Sequence, residues 1–100
     1  MKVKELLADP TSWTQGALAR DSSGRNVDFQ GEHAICWCIA GGIKKCYLPD
    51  FEECEGAMEK ILRIIDPKNK NRDCWWKPMF DFNDKSTHAE LMKVLEEADV

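Results

Sequence analysis

Apolar positions along the chain fall into patches separated by polar punctuation, and one patch dominates. Ala34-Ile35-Cys36-Trp37-Cys38-Ile39-Ala40-Gly41-Gly42-Ile43 is ten residues without a charge. Glu32 and His33 lead into it and Lys44 and Lys45 follow it, a charge order that matches the helix dipole. Apolar residues on every face describe a helix enclosed by others, at about residues 33–46. A buried strand is the competing reading, because Ile, Cys and Trp suit both states. The length of the run and the lack of strand partners elsewhere decide for the helix. Gly41-Gly42 then either lies inside that helix or ends it. Inside, each glycine costs about 1 kcal/mol relative to alanine, and a closely approaching neighbour must compensate.

The remaining patches read as shorter amphipathic elements. Val3 to Ala8 is an opening helix with Leu6 and Leu7 inward. Asp9-Pro10 ends it and starts a second as an N-cap followed by proline at the first helical position. That second helix, Ser12 to Arg20, carries Trp13, Ala17 and Leu18 on its buried side. The turn formers from Asp21 to Asn26 make a loop, Val27-Asp28-Phe29 is too short for a strand, and Phe29 plugs the end of the core. Asp50 to Asp66 has the clearest stripe, Cys54, Met58, Ile61, Leu62 and Ile65, with Asp50 as N-cap, Glu53 at the third position and Pro67 as the stop. Lys68 to Asp73 is a polar loop, and Cys74-Trp75-Trp76 returns the chain to the core. Pro78 then argues against a long helix, and Phe80 and Phe82, spaced by two, suggest a brief extended segment. Asn83-Asp84-Lys85-Ser86 reads as a turn. Thr87 and Glu90 form a capping box that opens a last helix to about Ala98. The expected architecture is all-α: one domain over residues 1–100, a compact bundle of four or five short helices around the buried central one.

Two stretches echo each other. Residues 13–20 and 38–45 both read bulky-x-x-Gly-small-aliphatic-x-basic. Helices that each present glycine and a small neighbour can approach closely, so these two segments are expected to pack together.

Composition adds limits rather than a function. An apolar fraction of 43% supports a real core in 100 residues. A net charge of −4 disfavours nucleic acid as a partner, and Lys68, Lys70 and Arg72 read as a solvated loop. The N-terminus lacks the long apolar stretch of a secretory signal, and ten apolar residues are too few to cross a bilayer, which takes about 20. The expected location is therefore cytoplasmic, without a membrane. Five cysteines, an odd count, then read as reduced and buried thiols.

Candidate chemistry is sparse. His88-Ala89-Glu90 has the His-x-Glu form of zinc deaminases, but the downstream Pro-Cys-x-x-Cys that such a site requires is missing. His33 and Cys36 would share a helix face, yet no Cys-x-x-Cys knuckle exists, so no metal and no cofactor is expected. Cys36 and Cys38 lie in the most apolar stretch, where burial keeps a thiol inert. The polar residues that could converge are Trp13, Gln15, Asn83, Asp84 and His88, as a small ligand site or merely as a turn. Trp75, Trp76, Phe80 and Phe82 exceed what one loop needs to plug a core, and mark a candidate interface for a protein partner or a second copy.

Trp13, the run Gly16-Ala17-Leu18-Ala19-Arg20-Asp21, Gly24, Trp37-Cys38, Gly41-Gly42-Ile43, Asn83-Asp84, Thr87 and Glu90 together resemble a family of small uncharacterised bacterial and phage proteins, a domain of unknown function. The resemblance runs from about residue 5 to residue 98. This chain departs from the family's usual Gly-Ala-Leu at positions 41–43 and has Leu91 where valine is common. The resemblance implies no catalytic residue. The resulting expectation is a small helical protein that acts by binding another protein or itself. The alternative is an enzyme or ligand-binding domain with a polar site around Asn83, Asp84 and His88.

Overall fold

The computed structural model describes residues 1–68 and 76–100. Among them the chain is mostly helical: α1 (Val3–Leu6), α2 (Ile39–Tyr47), α3 (Phe51–Ile65), α4 (Trp76–Lys85) and α5 (His88–Ala98), with a 3-10 turn at Pro10–Ser12. To these is added a small antiparallel ribbon of β1 (Ala19–Arg20) and β2 (Cys36–Trp37), pairing Ala19 with Trp37 and Arg20 with Cys36. No helix of the described residues is long and apolar enough to cross a membrane.

The helices with a clear stripe form where their patterns put them. Asp50 caps α3 by accepting from the Glu53 N–H at 3.2 Å, and Cys54, Ala57, Ile61 and Leu62 are its buried face. Thr87 and Glu90 complete their box on α5, the hydroxyl accepting from the Glu90 N–H and the carboxylate from the Thr87 N–H. Leu91, Leu95 and Ala98 bury the inner face of α5. Asp99, left-handed at φ 56°, ends that helix and accepts from both Lys2 and Lys4, and the Lys4 N–H donates to the Val100 carbonyl. The two ends of the described chain are thereby tied together.

The central helix is present but shorter than residues 33–46. Helix α2 begins at Ile39, buries Ile39, Ala40, Gly41, Gly42 and Ile43, and packs against α1, α3 and α4. Residues 33–38 are not helical because their backbone groups pair across the chain. The Ile35 N–H donates to the Arg20 carbonyl at 2.9 Å, the Cys38 N–H to the Leu18 carbonyl at 3.2 Å, and the Trp37 carbonyl accepts from Thr14 at 3.0 Å. Those partners come from the segment expected to form the second helix. Only one 3-10 turn follows Asp9-Pro10, and residues 13–20 run as irregular chain and strand. Gly16 has φ +80°, a conformation closed to most side chains.

Gly41-Gly42 lies inside α2, and the echo segments do meet, though as helix against extended chain. A Cβ at Gly41 would overlap the Leu18 carbonyl, while one at Gly42 would press on Val3 and touch Leu7. Residues 76–86 also differ from expectation. Pro78 sits in the first turn of α4, where a missing N–H costs nothing, so Phe80 and Phe82 are helical rather than extended. Asn83, Asp84 and Lys85 complete that helix instead of forming a turn. Trp76 is 48% exposed rather than returned to the core. The expected loop beyond Lys68, with Lys70, Arg72, Cys74 and Trp75, lies outside the described residues.

Candidate functional site

The polar residues singled out in the sequence converge. Asn83, on the last turn of α4, is 1% exposed, and its amide uses every bonding position it has. Its Oδ1 accepts from the Trp13 indole N–H at 2.9 Å and from the Ile39 N–H at 3.0 Å. Its Nδ2 donates to the Thr14 carbonyl and to Asp84 Oδ1, both at 3.1 Å. The Ile39 N–H belongs to the first turn of α2 and has no partner within its own helix. Asn83 therefore supplies what the start of the central helix lacks, and holds residues 13–14 against it in the same stroke.

The neighbours extend this latch. Gln15 Nε2 donates to the carbonyls of Asn83 and Ser86, closing the last turn of α4 from outside. Asp84 Oδ1 accepts from the Gly16 N–H at 3.0 Å. His88 Nε2 lies 2.7 Å from the Leu7 carbonyl, an acceptor only, so Nε2 carries the proton and Nδ1 is left as the acceptor when the ring is neutral. The His88 ring stands 5.9 Å from the Trp13 ring at 49°. Trp13, Gln15, Asn83, Asp84 and His88 are thus brought together, but most of their polar atoms are spent on backbone. Among the described residues no buried side-chain nitrogen or oxygen is left without a hydrogen bond.

One cavity borders the latch, about 280 Å³ in volume and lined by Gly16, Ala17, Leu18, Cys38, Phe80 and Asp84. Cys38 is the N-cap of α2, its sulfur accepting from the Gly41 N–H at 3.3 Å. Burial pushes the Cys38 thiol above its ordinary value, outweighing that bond, and Cys46 and Cys54 are raised by burial as well. These thiols stay protonated at neutral pH, which makes them poor nucleophiles and poor ligands. His33 is exposed and lies in irregular chain, so it does not share a helix face with Cys36. Among the described residues no three of His, Cys, Asp and Glu are grouped to hold a metal ion.

Of the aromatic candidates, Phe80 and Phe82 are half-buried against the core and Trp76 projects. Trp75 lies outside the described residues. Arg20, not among the candidate site residues, also organises this region. Its guanidinium donates to Thr14 Oγ1, the Gln15 and Gly24 carbonyls and Asn26 Oδ1, pinning the loop after β1 onto the latch segment. Its signals in the sequence were the basic position that closes the glycine echo and its place in the run from Gly16 to Asp21.

The model of a family of unknown function, DUF6197, matches residues 1–99. The chain belongs to that family. No curated protein and no solved structure matches it. The DUF6197 match takes in both halves of the latch, residues 13–16 and 83–88, together with the ribbon and all five described helices.

Proposed function

We propose that this DUF6197 chain is a cytoplasmic, non-catalytic protein that works by binding a protein partner through one face of α4. Trp76, Phe80 and Asp84 follow at successive helical turns and so share that face. The observation that carries the reading is Trp76, a large aromatic left 48% exposed at the head of this row. The cavity beside Phe80 and Asp84 continues the same surface. Trp is the residue most enriched among interface hot spots, where its truncation typically costs about 2 kcal/mol or more. The cytoplasmic assignment rests on Cys36, Cys38, Cys46 and Cys54 standing as free thiols.

A second reading has one observation in its favour. Only Oδ1 of Asp84 is bonded among the described residues, which leaves its other carboxylate oxygen for a small cationic or hydroxylated ligand in the cavity. One experiment separates the two. Affinity capture from the native host is run with the wild-type chain, Trp76→Ala and Asp84→Asn in parallel, with quantitative mass spectrometry. The protein-binding reading expects a partner retained by wild type and lost with Trp76→Ala. If the same proteins are retained by Trp76→Ala, the reading fails. A small molecule recovered from wild type but not from Asp84→Asn would establish the ligand reading.

A further inference from the structure

A second surface carries its own complementarity. Helices α2 and α3 frame a groove of about 300 Å³ whose apolar lining is Phe29, Leu48, Cys54 and Met58. Phe51, the first residue of α3, stands at this groove with 73% of its surface exposed. The groove has two charges, Lys44 and Glu55. The Lys44 ammonium is held 5.7 Å from the centre of the Phe29 ring, and neither charge forms an ion pair among the described residues. One patch therefore presents an aromatic knob, an apolar hole, a cation and a carboxylate.

That combination selects the occupant. A two-fold interface uses the same patch on both subunits, so it must be complementary to itself: each contact of residue i with residue j is repeated as j with i. A groove built for a foreign helix needs the hole and a rim, but not the knob that fills an equivalent hole. A two-fold rotation about this patch would pair Phe51 with the apolar lining and Lys44 with Glu55, each pairing twice. We propose that a second copy of this chain covers the groove, with Phe51 of each protomer seated in the other's groove and Lys44 of each facing Glu55 of the other. This surface is separate from the Trp76 face, and the proposal does not depend on the reading given above.

The test is the mass of the intact chain by light scattering and sedimentation over a dilution series from micromolar to near-millimolar. Wild type is expected to pass from monomer to dimer. Phe51→Ala removes both copies of the contact across the two-fold and should weaken the dimer by about 1,000-fold, about 30-fold for each truncated aromatic hot spot. Its far-UV spectrum should be unchanged, since the side chain lies outside the core. Lys44→Glu and Glu55→Lys should each weaken association, and both changes in one chain should restore it, because the swapped charges meet again across the two-fold. A wild-type chain that stays monomeric throughout would overturn the proposal. So would a Phe51→Ala dimer as tight as wild type, or a doubly swapped chain no better than the single variants. A dimer abolished by Trp76→Ala but not by Phe51→Ala would transfer self-association to the α4 face instead.

Discussion

Replacing Asn83 by alanine is the sharpest probe of this fold, because one buried amide joins three parts of the chain. The substitution deletes the bonds to Trp13 Nε1, the Ile39 N–H, the Thr14 carbonyl and Asp84 Oδ1. A hydrogen bond is worth about 1 kcal/mol net, and a buried donor left unpaired costs about 1–3 kcal/mol. Ile39 is fully enclosed, so its N–H counts near the upper figure. Trp13 is only half-buried and can turn to water, so its indole counts near the lower. With the Thr14 carbonyl and the lost side-chain packing, Asn83→Ala should cost about 4 kcal/mol, against a total of about 5–15 kcal/mol for a natural domain. At about 4–8 °C per kcal/mol for this size, melting should fall by roughly 15–30 °C. The assay is urea unfolding followed by far-UV circular dichroism, with the m-value checked for constancy. Trp13→Phe alone should cost about 1–2 kcal/mol, and in the Asn83→Ala background most of that cost should vanish, since the bond is already gone. A midpoint shift worth less than about 1 kcal/mol for Asn83→Ala, or full additivity of the pair, would refute the latch.

Two glycine substitutions should act in opposite directions. Gly41→Ala drives a methyl into the Leu18 carbonyl, and displacing the chain just before β1 that carries it should cost about 3 kcal/mol or more by thermal unfolding. Gly56→Ala, in mid-α3 with open space around it, should instead stabilise by about 1 kcal/mol, raising the melting temperature by a few degrees. A pH prediction concerns Asp99, whose carboxyl is pulled from 3.8 to about 2 by its bonds to Lys2 and then Lys4. A depressed folded-state value means the contribution is complete above the ordinary carboxylate range and lost as pH falls towards 2. Asp99→Asn should therefore be less stable than wild type at pH 7, with the difference closing between about pH 4 and pH 2 in an acid-unfolding series. A gap that persists unchanged at pH 2 would mean the carboxylate is not its source.

How far the chain could be read from its residues depended on where each segment finds its backbone partners. Helices α3 and α5 were legible because everything that decides them is local. A stripe at helical spacing and a cap within four residues, Asp50 for one and Thr87 with Glu90 for the other, leave little for distant contacts to alter. Residues 13–20 and 33–38 were not legible because they pair with each other. Strands of two residues carry no alternation to detect, and the bonds from Ile35 to Arg20 and from Cys38 to Leu18 close only once the chain has returned. The glycine echo pointed correctly to close approach, but Gly16 serves a left-handed bend rather than a helix face. Asn83 and Asp84 looked like turn formers because those side chains bond backbone; the backbone they bond is that of residues 13–16 and 39, not their own.

That last point decides where function is to be sought. The residues that carry the resemblance to an uncharacterised family have structural tasks in this fold. Trp13 and Asn83 form the latch bond, Gly16 bends the chain under Asp84, and Gly24 turns the loop with φ +81°. Cys38 caps α2, Gly41 admits Leu18, and Thr87 with Glu90 caps α5. Even Asp21, nearly buried, accepts from the Ser23 and Arg25 N–H groups to shape its own turn, with its carboxyl held below the ordinary range chiefly by the Arg25 N–H. A motif most of whose members are taken up in caps, bends and a buried amide specifies a scaffold. Apart from Asp84, the residues proposed above for recognition lie outside that motif: Trp76 on α4, and Phe51 with Lys44 and Glu55 at the α2–α3 groove.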